Sequence, residues 1–124
     1  MITAIGVDIV DVARVQRLLD RYGTRFVSRI LGKEETVLLR SRHDAAQFVA
    51  GRFAAKEALV KAFGKYLTKR PDYAEIEVVA DAAGRPTVAY RFSKPDCLAS
   101  VKTHVSISHE KSYAVAMAIL SEEA

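Results

Sequence analysis

The chain has 124 residues, a net charge of +4 and a sequence pI near 9.3, and half of it is hydrophobic. That length suits one domain with a real core, 1–124, and the apolar content excludes a disordered tail or linker. No apolar run approaches the ~20 residues that span a bilayer, and the acid at Asp8 spoils the opening stretch as a signal peptide.

In chain order, "ITAIGVDIV" is short, almost wholly apolar and rich in Ile and Val, which predicts a strand buried on both faces. Residues 12 to 31 have a helical pattern, with Asp11 placed to cap it and Gly23 placed to break it. On that helix Arg14, Arg17 and Arg21 fall within about one quarter of the wheel, and Arg25 and Arg29 continue the basic theme. A solvated face explains most such stripes. Three arginines without interleaved acids also suit a surface that meets an acidic protein or a nucleic acid.

"GKEETVLL" begins another short helix, and "RSRHD" is a polar loop. A long helix follows over about 44 to 64, containing "GRFAAKEALVKAF". Phe48, Val49, Phe53, Leu59, Val60 and Phe63 form a broad apolar arc, while Ala50, Ala54, Ala58 and Ala62 make a surface small enough for close packing. Arg52 and Lys56 project from the apolar arc, and Glu57 and Lys61 occupy the strip between the two surfaces. A helix buried nearly all round thus carries an acid and three bases. "EIEVVA" and "PTVAYRF" read as a hairpin turning through "DAAGR", and "THVSISH" and "YAVAMAIL" as a second one turning at "EKS". Helices precede most strands, so the class is α+β with an antiparallel sheet against a long central helix.

Each charged candidate has an ordinary explanation. Asp8, on the face shared with Ala4 and Gly6, could cap the next helix, and Glu57 could pair with Lys61 at i, i+4 for a few tenths of a kcal/mol. If both acids are buried, they need a cation, a metal or strong hydrogen bonds. Two hard oxygen donors favour Mg²⁺, which completes its shell with water and phosphate, and Lys61 would then stand beside that phosphate. In "HVSISHE" Ser106 lies on the face opposite Val105 and Ile107, and His109 ends the strand, where a polar ligand could be met. Gly84 permits close backbone approach and Arg85 an anion contact, although a tight turn explains the glycine equally well. Cys97 is alone, so no internal disulfide forms and a reducing cytoplasm is expected. There is no P-loop and no GxGxxG.

Taken together, "GVDIVDVARV", "GRFAAKEALVKAF", "GRPTV" and "VSISHEKSYAVAMAI" resemble the holo-acyl-carrier-protein synthase family of 4′-phosphopantetheinyl transferases over essentially the whole chain. The resemblance implies the fold of that family, assembled as a homotrimer with active sites between subunits. It implies Mg²⁺-dependent transfer of 4′-phosphopantetheine from coenzyme A to a serine of an acyl carrier protein, or of a carrier domain of a fatty acid synthase, leaving adenosine 3′,5′-bisphosphate. Asp8 and Glu57 match the metal ligands and Lys61 the lysine beside the pyrophosphate, and these three are the catalytic set. Arg52, Gly84, Arg85, Pro86, Ser106 and His109 join Lys61 around coenzyme A, with Arg52 and Lys56 expected at a subunit interface or near the nucleotide. Arg14, Arg17, Arg21 and Arg25 face the carrier. Either Glu57 or a metal-bound water could accept the serine proton. The stretch from Lys65 to Ala74 departs from the short Gly/Thr turn of many relatives, so no contact there is carried over. The rival readings are a small basic nucleic-acid-binding module, which leaves Asp8, Glu57 and "SISH" unexplained, and a non-catalytic trimeric scaffold, which does not require the acids.

Overall fold

The computed structural model describes residues 1–123. Strand β1 (Ile2–Asp11) is followed by helices α1 (Val12–Tyr22), α2 (Thr24–Ile30), α3 (Lys33–Arg40) and α4 (Ala45–Phe63). Strands β2 (Ile76–Ala80), β3 (Pro86–Tyr90), β4 (Val101–His109) and β5 (Tyr113–Glu122) complete the chain. Asp11 caps α1 by accepting from the backbone N–H of Ala13 at 2.9 Å and of Arg14 at 3.3 Å. Gly23, at a φ of 52°, turns the chain between α1 and α2. The expected break is there, and the expected hairpins β2–β3 and β4–β5 are both present.

The main sheet has the order β1-β5-β4 and is antiparallel throughout, so the first and last strands are neighbours. The pair β2-β3 forms a separate ribbon, with β2 against α4 and β3 against β4. Helix α4 lies across all three strands of the main sheet. Its alanines Ala50, Ala54, Ala58 and Ala62 are buried, so the helix axis comes close to the sheet. The closest point is Gly6, where an added β-carbon would stand 1.9 Å from the Ala58 carbonyl oxygen and 3.2 Å from the Ala62 nitrogen. No other residue fits there. This α+β arrangement matches the expectation.

One expectation needs correcting. Strand β1 is covered on one face only: Gly6 and Val10 face α4, whereas Ile5, Val7 and Ile9 are 61%, 52% and 63% exposed. The reason is topological. The main sheet has a helix layer on one side only, and the Ile/Val run of β1 is apolar on the uncovered side as well. Tyr113, Val115 and Met117 of β5 continue that open apolar face.

Lys56 is a second correction. It does not lie at an exposed interface, because it is wholly buried. Its Nζ donates to Glu35 Oε1 at 2.5 Å, to the Ile30 carbonyl at 2.5 Å and to the Tyr73 carbonyl at 2.9 Å. Glu35 in turn accepts from the backbone N–H of Gly32 and of Val78, both at 3.0 Å. Burial pushes the Glu35 carboxyl up and the Lys56 ammonium down, and the ion pair between them opposes both shifts. The charge in the core helix therefore stitches α2, α3 and the approach to β2 onto α4.

Candidate active site

The close approach at Gly6 sets the position of Asp8, two residues further along the same face of β1. Lys61 extends from α4 to this point, its Nζ donating to Asp8 Oδ1 at 3.0 Å and to the Val7 carbonyl at 2.9 Å. Glu57, one helical turn before Lys61, opens onto the same cleft as Asp8. That cleft has a volume of about 360 Å³, and Arg14, Leu18, Phe53 and Tyr113 are among its other walls. The side chains of Asp8 and Glu57 are 21% and 28% exposed, buried enough to be fixed and open enough to meet a ligand.

These two acids suit a hard divalent cation. They offer carboxylate oxygens from a strand and a helix held in backbone contact, and each is already matched by a basic side chain. Among the described residues no group of three or more His, Cys, Asp or Glu is placed to hold a metal ion, so the chain would supply two such ligands here. Mg²⁺ is commonly held in that way, with water and phosphate filling the remaining positions.

The other anticipated site residues are distributed around the chain. Arg52 does not line this cleft: its guanidinium stacks 4.2 Å over the Phe48 ring, Nη2 donates to the Val78 carbonyl at 3.3 Å, and Nε is buried without a partner. Burial lowers its pKa. Gly84, Arg85 and Pro86 lie at the β2–β3 turn, with Gly84 at a φ of 82° and Arg85 bonded back to Asp81 at 3.2 Å. Ser106 is on the open face of the main sheet opposite Met117, while His109 ends β4 in register with Ala114. A single chain does not gather these residues at Asp8.

Arg14, Arg17 and Arg21 project from the exposed side of α1, and none of them, nor Arg25 or Arg29, has an acidic partner among the described residues. Arg14 borders the cleft of the two acids. Arg25 and Arg29 border an adjoining hollow with Leu18, Tyr22 and Phe26, Leu18 being shared with the cleft. Sequence reasoning missed Phe53 as a wall of the cleft, since its place in the apolar arc signalled only core. It also missed Arg70, which reaches Glu57 Oε2 at 3.4 Å from a loop with no periodic pattern to read.

Residues 4–118 match the family model of the 4'-phosphopantetheinyl transferase superfamily. The chain belongs to that superfamily. It is 42% identical over 120 residues to the holo-[acyl-carrier-protein] synthase of Chlorobium limicola, covering 96% of this chain and 94% of that relative. Among solved structures it is similar to a holo-(acyl-carrier-protein) synthase from Bacillus anthracis in complex with CoA (3',5'-ADP). There the TM-score is 0.81 at 37% identity, covering 99% of each chain. The Helicobacter pylori holo-[acyl-carrier-protein] synthase in complex with coenzyme A superimposes with a TM-score of 0.78 at 28% identity, covering 94% of this chain and 99% of that one.

Proposed function

We infer that this chain, as one domain spanning 1–124, transfers 4′-phosphopantetheine from coenzyme A to a serine of an apo-acyl carrier protein, releasing adenosine 3′,5′-bisphosphate. The observation that carries this reading is the meeting of Asp8 and Glu57 at one cleft, with Lys61 bonded to Asp8, in a chain of this superfamily. The serine oxygen attacks the β-phosphorus of coenzyme A, its proton leaves, and the bond from that phosphorus to the bridging oxygen breaks. Asp8 and Glu57 are the residues that would hold Mg²⁺, which supplies neutralisation of the pyrophosphate charge. Lys61 places an ammonium group next to Asp8, where it stabilises charge gathering on the departing nucleotide. Glu57 is the side chain in the cleft suited to receive the serine proton.

The carrier approaches along the basic strip. Arg14 stands at the mouth of the cleft, and Arg17, Arg21 and Arg25 extend outward from it, a run that suits an acidic partner helix. The homotrimer reading draws support from the uncovered apolar face of β1 and β5, whose residues Ile5, Val7, Ile9, Val115 and Met117 are costly to leave in water. In such an assembly a neighbouring subunit would bring residues such as Arg85 and Ser106 to the nucleotide. Cytoplasmic residence accords with the single cysteine and with the lack of any helix, among the described residues, long and apolar enough to cross a membrane. The nucleic-acid-binding alternative has no support from the family match.

The test is direct. Apo-carrier, coenzyme A and Mg²⁺ are mixed with the protein, and the intact mass of the carrier is followed. A mass gain equal to one phosphopantetheine, lost when the serine of the carrier is replaced by alanine, is the expected outcome; an unchanged carrier mass would refute the reading.

A further inference from the structure

Arg70 belongs to the loop between α4 and the 3-10 turn at Tyr73–Glu75. Its guanidinium is not loosely placed. The guanidinium carbon lies 4.8 Å from the centroid of the Tyr73 ring, and that ring meets Phe53 edge-on with centroids 5.6 Å apart. Phe53 is a wall of the cleft that holds Asp8 and Glu57. The aromatic pair therefore holds Arg70 beside Glu57 from outside the cleft lining, with Nη2 3.4 Å from Glu57 Oε2.

Each acid of the site thus has its own cation, Asp8 taking Lys61 from the same helix as Glu57, and Glu57 taking Arg70 from the loop. The two pairs are not equivalent. Lys61 is also tied to the Val7 carbonyl and has a role beside phosphate, whereas Arg70 has no second hydrogen bond among the described residues. A divalent cation arriving at Glu57 meets the Arg70 charge at contact distance, both as a competitor for the carboxylate oxygens and as a repelling neighbour.

We propose that Arg70 is a positioning residue of the site: it holds the Glu57 carboxylate and must release it for a divalent cation to bind, so it sets the metal affinity of the enzyme. This rests on the reading of Asp8 and Glu57 as the metal ligands. Both partners are partly exposed, at 55% and 28%, so the contact belongs to the weak class of ion pairs. The effect expected of its removal is correspondingly modest, about two- to five-fold in metal affinity.

The test uses the full chain with saturating coenzyme A and Mn²⁺ as a paramagnetic stand-in for Mg²⁺, reading free Mn²⁺ by electron paramagnetic resonance. Four proteins are compared: wild type, Arg70→Gln, Arg70→Lys and Glu57→Gln. Arg70→Gln binds Mn²⁺ about two- to five-fold more tightly than wild type, Arg70→Lys returns toward the wild-type value, and Glu57→Gln binds far more weakly. Unchanged or weaker binding in Arg70→Gln, with Glu57→Gln still impaired, overturns the role of Arg70 alone. Wild-type binding that does not depend on Glu57 overturns the metal assignment and the proposal with it. Melting temperatures of the four proteins identify any variant that fails to fold; Arg70→Ala then stands in for Arg70→Gln, and Glu57→Ala for Glu57→Gln.

Discussion

Gly6 of β1 and Ala58 of α4 are in backbone contact: a β-carbon at position 6 would stand 1.9 Å from the Ala58 carbonyl oxygen. That contact brings the strand bearing Asp8 to the helix bearing Glu57 and Lys61. Because backbone, not a flexible side chain, fills the space, Gly6→Ala must push β1 away from α4. The overpacking costs about 3 kcal/mol. A displacement on the order of 1 Å of Asp8 relative to Glu57 lowers transfer by about 100-fold in whatever protein still folds. Urea unfolding and single-turnover transfer rates measure the two effects separately. A variant with normal rates would show that the close approach does not set the site.

Lys56→Met leaves the Glu35 carboxylate buried without its cation and the Ile30 and Tyr73 carbonyls without their donor. The expected loss is about 3–5 kcal/mol, seen as a lower urea midpoint or as failure to accumulate folded protein. A loss below about 1 kcal/mol would mean the buried pair is not a structural tie. Coenzyme A affinity per folded molecule should be little changed, since Lys56 does not line the Asp8–Glu57 cleft.

Acid sensitivity follows from Glu77, which is buried beside Arg91 at 2.9 Å and accepts from the Glu35 N–H at 3.0 Å. Burial works to raise its carboxyl, but the Glu35 N–H, the Arg91 guanidinium and the Glu34 N–H outweigh it and hold the pKa below its ordinary value of 4.5. A depressed folded pKa means the unfolded chain binds the proton more readily. The stabilisation is therefore present above about pH 4.5 and is lost as pH falls through the folded value. Between about pH 5 and pH 3, wild type should lose more stability than Glu77→Gln, which has no such proton to take up. Equal losses would contradict the assignment.

The basic strip is tested away from the chemistry. Arg14 borders the acid cleft, so the informative change is Arg17→Glu with Arg21→Glu, both exposed on α1 and outside that cleft. The expected result is a KM for carrier raised about tenfold or more at low salt, with the gap to wild type closing as ionic strength rises. Coenzyme A affinity should hold. Loss of coenzyme A binding with an unchanged carrier KM would move the strip to the nucleotide.

Much of this molecule was legible in the sequence because its signals are local. Asp11 and Gly23 mark helix ends through capping and a positive φ, the alternation in "HVSIS" records one covered face, and the alanines of α4 announce a close-packed helix. Asp8, Glu57 and Lys61 stood out because charged side chains on apolar elements demand partners. What was not legible depends on the tertiary arrangement. The Ile/Val run of β1 looks the same whether one face or two are covered, and only the packing of α4 on one side of the sheet decides it. The destination of Lys56 depends on Glu35 and on the Ile30 carbonyl, 21 and 26 residues away in the chain. Arg70 reaches Glu57 from an aperiodic loop whose path is set by Tyr73 and Phe53.

The central claim is that phosphopantetheine transfer takes place at the cleft between Asp8 and Glu57. The measurement that tests it most directly is the rate of carrier modification, read by intact mass, for Asp8→Ala and Glu57→Ala at limiting and at saturating Mg²⁺. Both variants should fold, since neither side chain belongs to the buried core, and both should lose at least about 100-fold in rate at limiting Mg²⁺. Near-wild-type rates in both variants, with the fold intact, would contradict the account.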